Sequence, residues 1–195
     1  MYVLKVRATF VEPLLATRPA NDKLHEDFVA ANAPDASSRA EEIAAKGIAE
    51  CVEQTMTVFP QENGVPFMWD YQWKGYFKSV ASAFAREREK YLPAFRKIID
   101  LSIFVRPRRV TLILPAGGVI GDMQRPLRGQ TAQGERIAIA HSQTVPAGTT
   151  AEFEVHLLDE KRERFVREWL DYGVYHGTGQ WRNAGWGRFE WEEVK

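Results

Sequence analysis

Residues 173–191 read GVYHGTGQWRNAGWGRFEW, with five glycines from Gly173 to Gly187. No regular helix or strand is built at that glycine density. Glycine loses the most backbone freedom on ordering and serves where φ is positive or another backbone comes close. A charged amphipathic segment precedes the stretch and a short aromatic one follows it, so it predicts an ordered loop between a helix and a final strand. Its donors include His176, Arg182, Asn183 and the indoles of Trp181 and Trp186. Together with backbone N–H groups these suit a phosphate-bearing ligand; a packed turn lined by aromatic rings is the alternative.

A chain of 195 residues with 45% hydrophobic and 27% charged residues suits a single folded domain. No run approaches the length of about 18 apolar residues needed for a membrane span. The N-terminus alternates like a strand and lacks a basic-then-apolar leader, so a cytoplasmic location is expected. Cys51 is the only cysteine, which excludes an intramolecular disulfide and a cysteine-based zinc site. Its place on the apolar side of a predicted helix suggests a buried structural thiol. The net charge is zero but unevenly spread. Residues 20–62 carry nine acidic residues against three basic, and residues 96–136 carry eight basic against three acidic. Such asymmetry suits nucleic-acid binding or head-to-tail assembly.

Leu4, Val6, Ala8 and Phe10 alternate with Lys5, Arg7 and Thr9, the pattern of a half-buried strand that Pro13 ends. A short helix is expected over 22–31. A second follows the capping-box spacing of Ser38 and Glu41, with Ile43, Ile48, Cys51, Val52 and Met56 as its apolar stripe. This acidic region, 12–66, reads as an insertion. The spacing of Trp73, Phe77, Val80, Ala81 and Phe84 predicts a long helix over 70–91, with Lys74 and Lys78 on another face. Pro93 opens a short helix ending near Asp100. Residues 101–105 and 110–114 are apolar β-type runs, either two strands or one bent edge strand. Residues 116–144 form a second insertion, with a hairpin or loop over 121–134 and a strand over 136–141. Phe153, Val155 and Leu157 alternate in a further strand, Asp159 caps a helix over 160–172, Gly173 suits its C-terminal cap, and Phe189 and Trp191 share one face of the last strand. The order is β-α-β-β-α-β, an α+β, ferredoxin-like (RRM-like) plan.

This order, with its Gly-rich loop before the final strand, resembles the RAMP superfamily of CRISPR-associated proteins, whose members bind and in some cases cut guide RNA. Residues 177–187 are similar to that family's Gly-rich loop. Residues 65–77 resemble the segment leading into the first helix, where many backbone-type members carry a Pro-Gly-Ser-Ser-x-Lys-Gly run. Here Met68, Trp69, Asp70 and Tyr71 replace the small residues, and Lys74-Gly75 carries over. Residues 145–155 look like the turn into the third core strand. By the same resemblance, 116–144 takes the place of a thumb-like hairpin.

What the resemblance implies is a single-stranded guide-RNA-binding, backbone-type subunit, non-catalytic, with RNA, copies of itself or other CRISPR subunits as partners. The expected RNA contacts are Lys74, Lys78, Arg108, Arg109, Arg125, Arg128 and Arg182, with the loop backbone at Gly177, Gly179, Gly185 and Gly187. Trp181 and Trp186 are candidates for base stacking. No cofactor or metal is expected, since no His or Cys cluster has ligand spacing. One alternative is a metal-independent RNA-processing endonuclease, with His176, or His25 with Lys23, as general base. His141 and His156 lie on strands without a catalytic partner in the sequence. Target-cutting members use an acid in the loop after the first strand, where Asp22, Glu26 and Asp27 lie. The other alternative is a virus-encoded CRISPR inhibitor that mimics a subunit.

Overall fold

A computed structural model describes residues 1–20, 56–89, 91–131 and 134–194. The helices expected over 22–31 and after Ser38 lie outside these residues, as do Lys23, His25, Asp22, Glu26, Asp27 and Cys51. The first strands are β1 (Tyr2–Phe10), β2 (Leu14–Leu15), β3 (Arg18–Pro19), β4 (Thr57–Val58), β5 (Gln61–Glu62) and β6 (Val65–Trp69). Helices α1 (Asp70–Glu87) and α2 (Phe95–Ser102) follow, then β7 (Ile103–Arg106), β8 (Arg109–Ile113), β9 (Gly121–Thr131), β10 (Gly134–Val145) and β11 (Thr150–Leu157). Helix α3 (Glu163–Asp171) and β12 (Phe189–Glu193) complete the chain. These elements fall into two compact units, one of residues 1–15, 60–119 and 145–195, the other of 16–59 and 120–144.

The first unit is an antiparallel sheet in the order β12-β1-β11-β8-β6-β5, with β7 also paired to β11. Alternation in β1 turns Leu4, Val6, Ala8 and Phe10 into the core, all at most 1% exposed. In α1, Trp73, Tyr76, Phe77, Val80 and Ala81 form the buried stripe, and in α3 it is Val166, Trp169 and Leu170. Trp73 packs 4.3 Å from the Phe153 ring and 5.4 Å from that of Phe189, so α1 lies on the face these strands bury. The Tyr76 hydroxyl donates to the Trp169 carbonyl at 2.7 Å and joins α1 to α3. On the opposite face, Arg7 bridges Glu152 (2.7 Å) and Glu192 (2.8 Å) across β11, β1 and β12. That face is exposed and charged, and such pairs contribute about 0–1 kcal/mol each.

Three local features differ from the sequence expectation. Helix α1 stops at Glu87 rather than near Tyr91, because Arg88 turns extended and pairs with Glu168 of α3. Tyr91 then accepts from the Trp169 indole at 2.8 Å and donates to Glu168 at 2.9 Å. Residues 65–69 form a strand, β6, which pairs with β8 through Phe67↔Thr111, Met68↔Val110 and Trp69↔Arg109. Gly173 is not a left-handed cap. It is buried within a 3-10 turn, where a Cβ would sit 2.7 Å from the Phe189 carbonyl oxygen. The two β-type runs are separate strands, β7 and β8, and both lie along β11.

In the second unit, β9 and β10 form a long antiparallel hairpin, from Gly121↔Thr144 to Thr131↔Gly134. Strand β4 meets β10 through Thr57↔Ser142, whose hydroxyls are 2.8 Å apart, and β3 pairs with β4. No helix among the described residues is long and apolar enough to cross a membrane.

Candidate nucleic-acid interface

The Gly-rich loop leaves α3 through the 3-10 turn Tyr172–Val174 and closes on itself where Gly177 meets Gly187. Thr178 N donates to the Gly187 carbonyl at 2.9 Å, and Gly187 N donates to the Pro13 carbonyl at 2.9 Å. A Cβ at Gly177 would fall 2.0 Å from the Trp186 carbonyl oxygen. One at Gly187, where φ is +68°, would fall 2.1 Å from that of Thr178. Only glycine permits this backbone crossing. Both residues are buried, so the outward part of the loop is 180–186.

That outward part contains a second 3-10 turn, Arg182–Ala184, entered by Trp181 at φ 55° and left by Gly185 at φ 89°. Left-handed backbone is costly for a tryptophan. The Trp181 and Trp186 rings stack at 6.0 Å and 13°, and Trp181 remains 39% exposed. Gly185 faces the Arg188 side chain, 3.3 Å from a Cβ position to the guanidinium carbon. Neither Arg182 nor Arg188 has an acidic partner among the described residues. Arg188 was not among the sequence candidates: beside a predicted strand it reads as an ordinary exposed position, and only the fold of the loop brings it to Gly185.

His176 lies between the rings of Tyr76 and Tyr172, with Nε2 3.0 Å from Ser79 Oγ of α1. Burial, and then the positive charge of Arg182, hold this imidazole below its usual range. His141 pairs with Asp122, and His156 with Glu154 at 2.8 Å. Among the described residues no group of three or more His, Cys, Asp or Glu side chains could hold a metal ion.

The other candidate cations fall in separate places. Lys74 Nζ donates to the Asp100 carbonyl at 3.1 Å, and burial lowers its pKa. Lys78 is paired with Asp100 at 2.6 Å, so α2 engages both lysines. Arg108 lies over the Trp69 ring at 5.7 Å, whereas Arg109 pairs with Glu62 and lies over the Phe67 and Trp69 rings. Arg125 and Arg128 belong to the second unit, on β9, in register with Ala140 and Ile137 of β10. Burial lowers the Arg125 pKa. Gly179, at φ +79°, packs against Leu14 and Leu15.

No protein family model and no curated protein matches this chain. Among solved structures, it is similar to a chain in the cryo-EM structure of the Type III-B Cmr-beta bound to cognate target RNA. The two are 14% identical with a TM-score of 0.55, over 99% of this chain and 60% of that one. The protein therefore spans about three-fifths of that neighbour's length. A chain of a Type IV-B CRISPR complex aligns at 11% identity and a TM-score of 0.49, over 99% of this chain and 90% of that one. At 14% identity the likeness to the Cmr-beta chain is one of fold.

Proposed function

We propose that the protein is a non-catalytic, single-stranded RNA-binding subunit of the kind found in CRISPR ribonucleoprotein complexes, RAMP-like in plan. The observation that carries this reading is the outward part of the Gly-rich loop. Arg182 and Arg188 flank Gly185 without acidic partners among the described residues, beside the stacked pair Trp181–Trp186. Guanidinium groups suit phosphate, and exposed indoles suit unpaired bases. The sheet order supports a ferredoxin-like core: with β7 and β8 as one position along β11, its strands run fourth, first, third, second. The fold likeness to a chain of an RNA-bound Cmr-beta assembly points the same way. On this reading the hairpin of β9 and β10 is the thumb-like element, and its Arg125 and Arg128 are the residues expected to meet guide or neighbour. Partners are other CRISPR subunits or further copies of the chain.

Fluorescence anisotropy of a labelled 20-nucleotide single-stranded RNA, titrated with the full chain over a salt series, tests the reading. Binding that weakens linearly in log salt is expected. No binding at about 50 mM salt overturns it, because the electrostatic contribution is largest there.

A further inference from the structure

The pairing of β6 with β8 builds a second ring-and-guanidinium surface that the Gly-rich loop does not include. Register places Trp69 opposite Arg109, and Asp70 N donates to the Arg108 carbonyl at 2.9 Å, so the start of α1 and the start of β8 are tied together. Phe67 meets Trp69 edge-on at 5.0 Å and 88°, and the Trp69 amide donates to Gln72 Oε1 at 2.7 Å. Trp69 is thereby braced from below and at its backbone. Its ring runs nearly parallel to that of Tyr71, at 6.3 Å and 13°, and Tyr71 is 57% exposed. The Arg108 guanidinium lies over the Trp69 ring and has no acidic partner among the described residues. Arg109 lies over Phe67 and Trp69 and is neutralised by Glu62.

We infer that Tyr71, Trp69 and Arg108 form a nucleobase-stacking site for single-stranded RNA. The inference rests on the RNA-binding reading above and adds to it a second contact, in which the rings take a base and Arg108 the adjoining phosphate. An exposed phenol parallel to a braced indole, with a planar cation on that indole, offers flat faces to an unstacked base. A duplex keeps its bases stacked inside and cannot use such faces. A guanidinium beside the rings, with no acidic partner among the described residues, suits a polyanion.

The test uses the full chain and two labelled 12-nucleotide probes, oligouridine and the same backbone with abasic residues throughout. Tyr71→Ala is expected to weaken oligouridine binding by about 5- to 100-fold and to leave abasic binding unchanged. Tyr71→Phe should stay within about twofold of the parent protein, because the ring face remains. Arg108→Ala should weaken both probes. Equal loss of both probes in Tyr71→Ala, or loss of neither, overturns the stacking site while leaving RNA binding at the loop intact. Failure of the parent protein to bind either probe at low salt overturns the RNA reading itself, and this inference with it. Matching thermal melts of the parent and Tyr71→Ala proteins show that a changed affinity is not a folding defect.

Discussion

His176 Nε2 lies 3.0 Å from Ser79 Oγ, which ties the entrance of the Gly-rich loop to the middle of α1. The imidazole is half-buried between two tyrosine rings, and burial and Arg182 lower its pKa from the ordinary 6.5. The unfolded chain thus takes up a proton at higher pH than the folded one. The contribution to stability is complete above about pH 6.5 and is lost as pH falls through that value toward the folded pKa. Tm should drop between about pH 7 and pH 5, and His176→Gln should flatten that segment of the profile. Parallel profiles for the two proteins would rule the coupling out.

Two glycines predict opposite outcomes. At Gly187 a Cβ would strike the Thr178 carbonyl oxygen, so Gly187→Ala should cost at least about 2 kcal/mol in urea unfolding. At Gly75, in the middle of α1, a Cβ meets nothing within 4 Å. Gly75→Ala should therefore stabilise by about 0.5–1 kcal/mol through helix propensity. A well-behaved Gly187→Ala would mean that the loop crossing opens without penalty.

The cations divide by whether an acid already holds them. Arg182→Gln with Arg188→Gln should weaken RNA binding and make the log–log salt dependence shallower by about 0.7 per lost phosphate contact. Lys78→Gln removes a cation that Asp100 already holds at 2.6 Å, so its effect should be smaller. Anisotropy titrations at several salt concentrations decide the order, and an equal or larger loss from Lys78→Gln would move the RNA path to α1.

Tyr76 joins the two core helices through its bond to the Trp169 carbonyl, and burial raises its pKa. Tyr76→Phe keeps the ring and removes the donor, leaving a buried carbonyl without it. A loss of about 1–3 kcal/mol is expected in denaturant unfolding. A loss near zero would indicate that water replaces the hydroxyl.

Local pattern alone determined much of the frame. Alternation in 4–10 marks β1, the helical spacing of Trp73, Phe77, Val80 and Ala81 marks α1, and the glycines of 173–187 mark an ordered loop, because each depends on neighbours within a few residues. The end of α1 was illegible, since it depends on Arg88 meeting Glu168, 80 residues away. Strand β6 was illegible too: Val65 to Trp69 is too short and too apolar to declare a period, and its identity comes from pairing with β8.

The same division applies to the candidate site. Sequence named Lys74, Lys78, Arg109 and Arg182 alike as cations, and nothing in local pattern distinguishes them. Only tertiary structure brought Asp100 to the lysines and Glu62 to Arg109. It also set Arg188 against Gly185 and laid Arg108 over Trp69. Charge is a property of a residue, but its availability to a ligand depends on which distant groups the packing brings within a few ångströms.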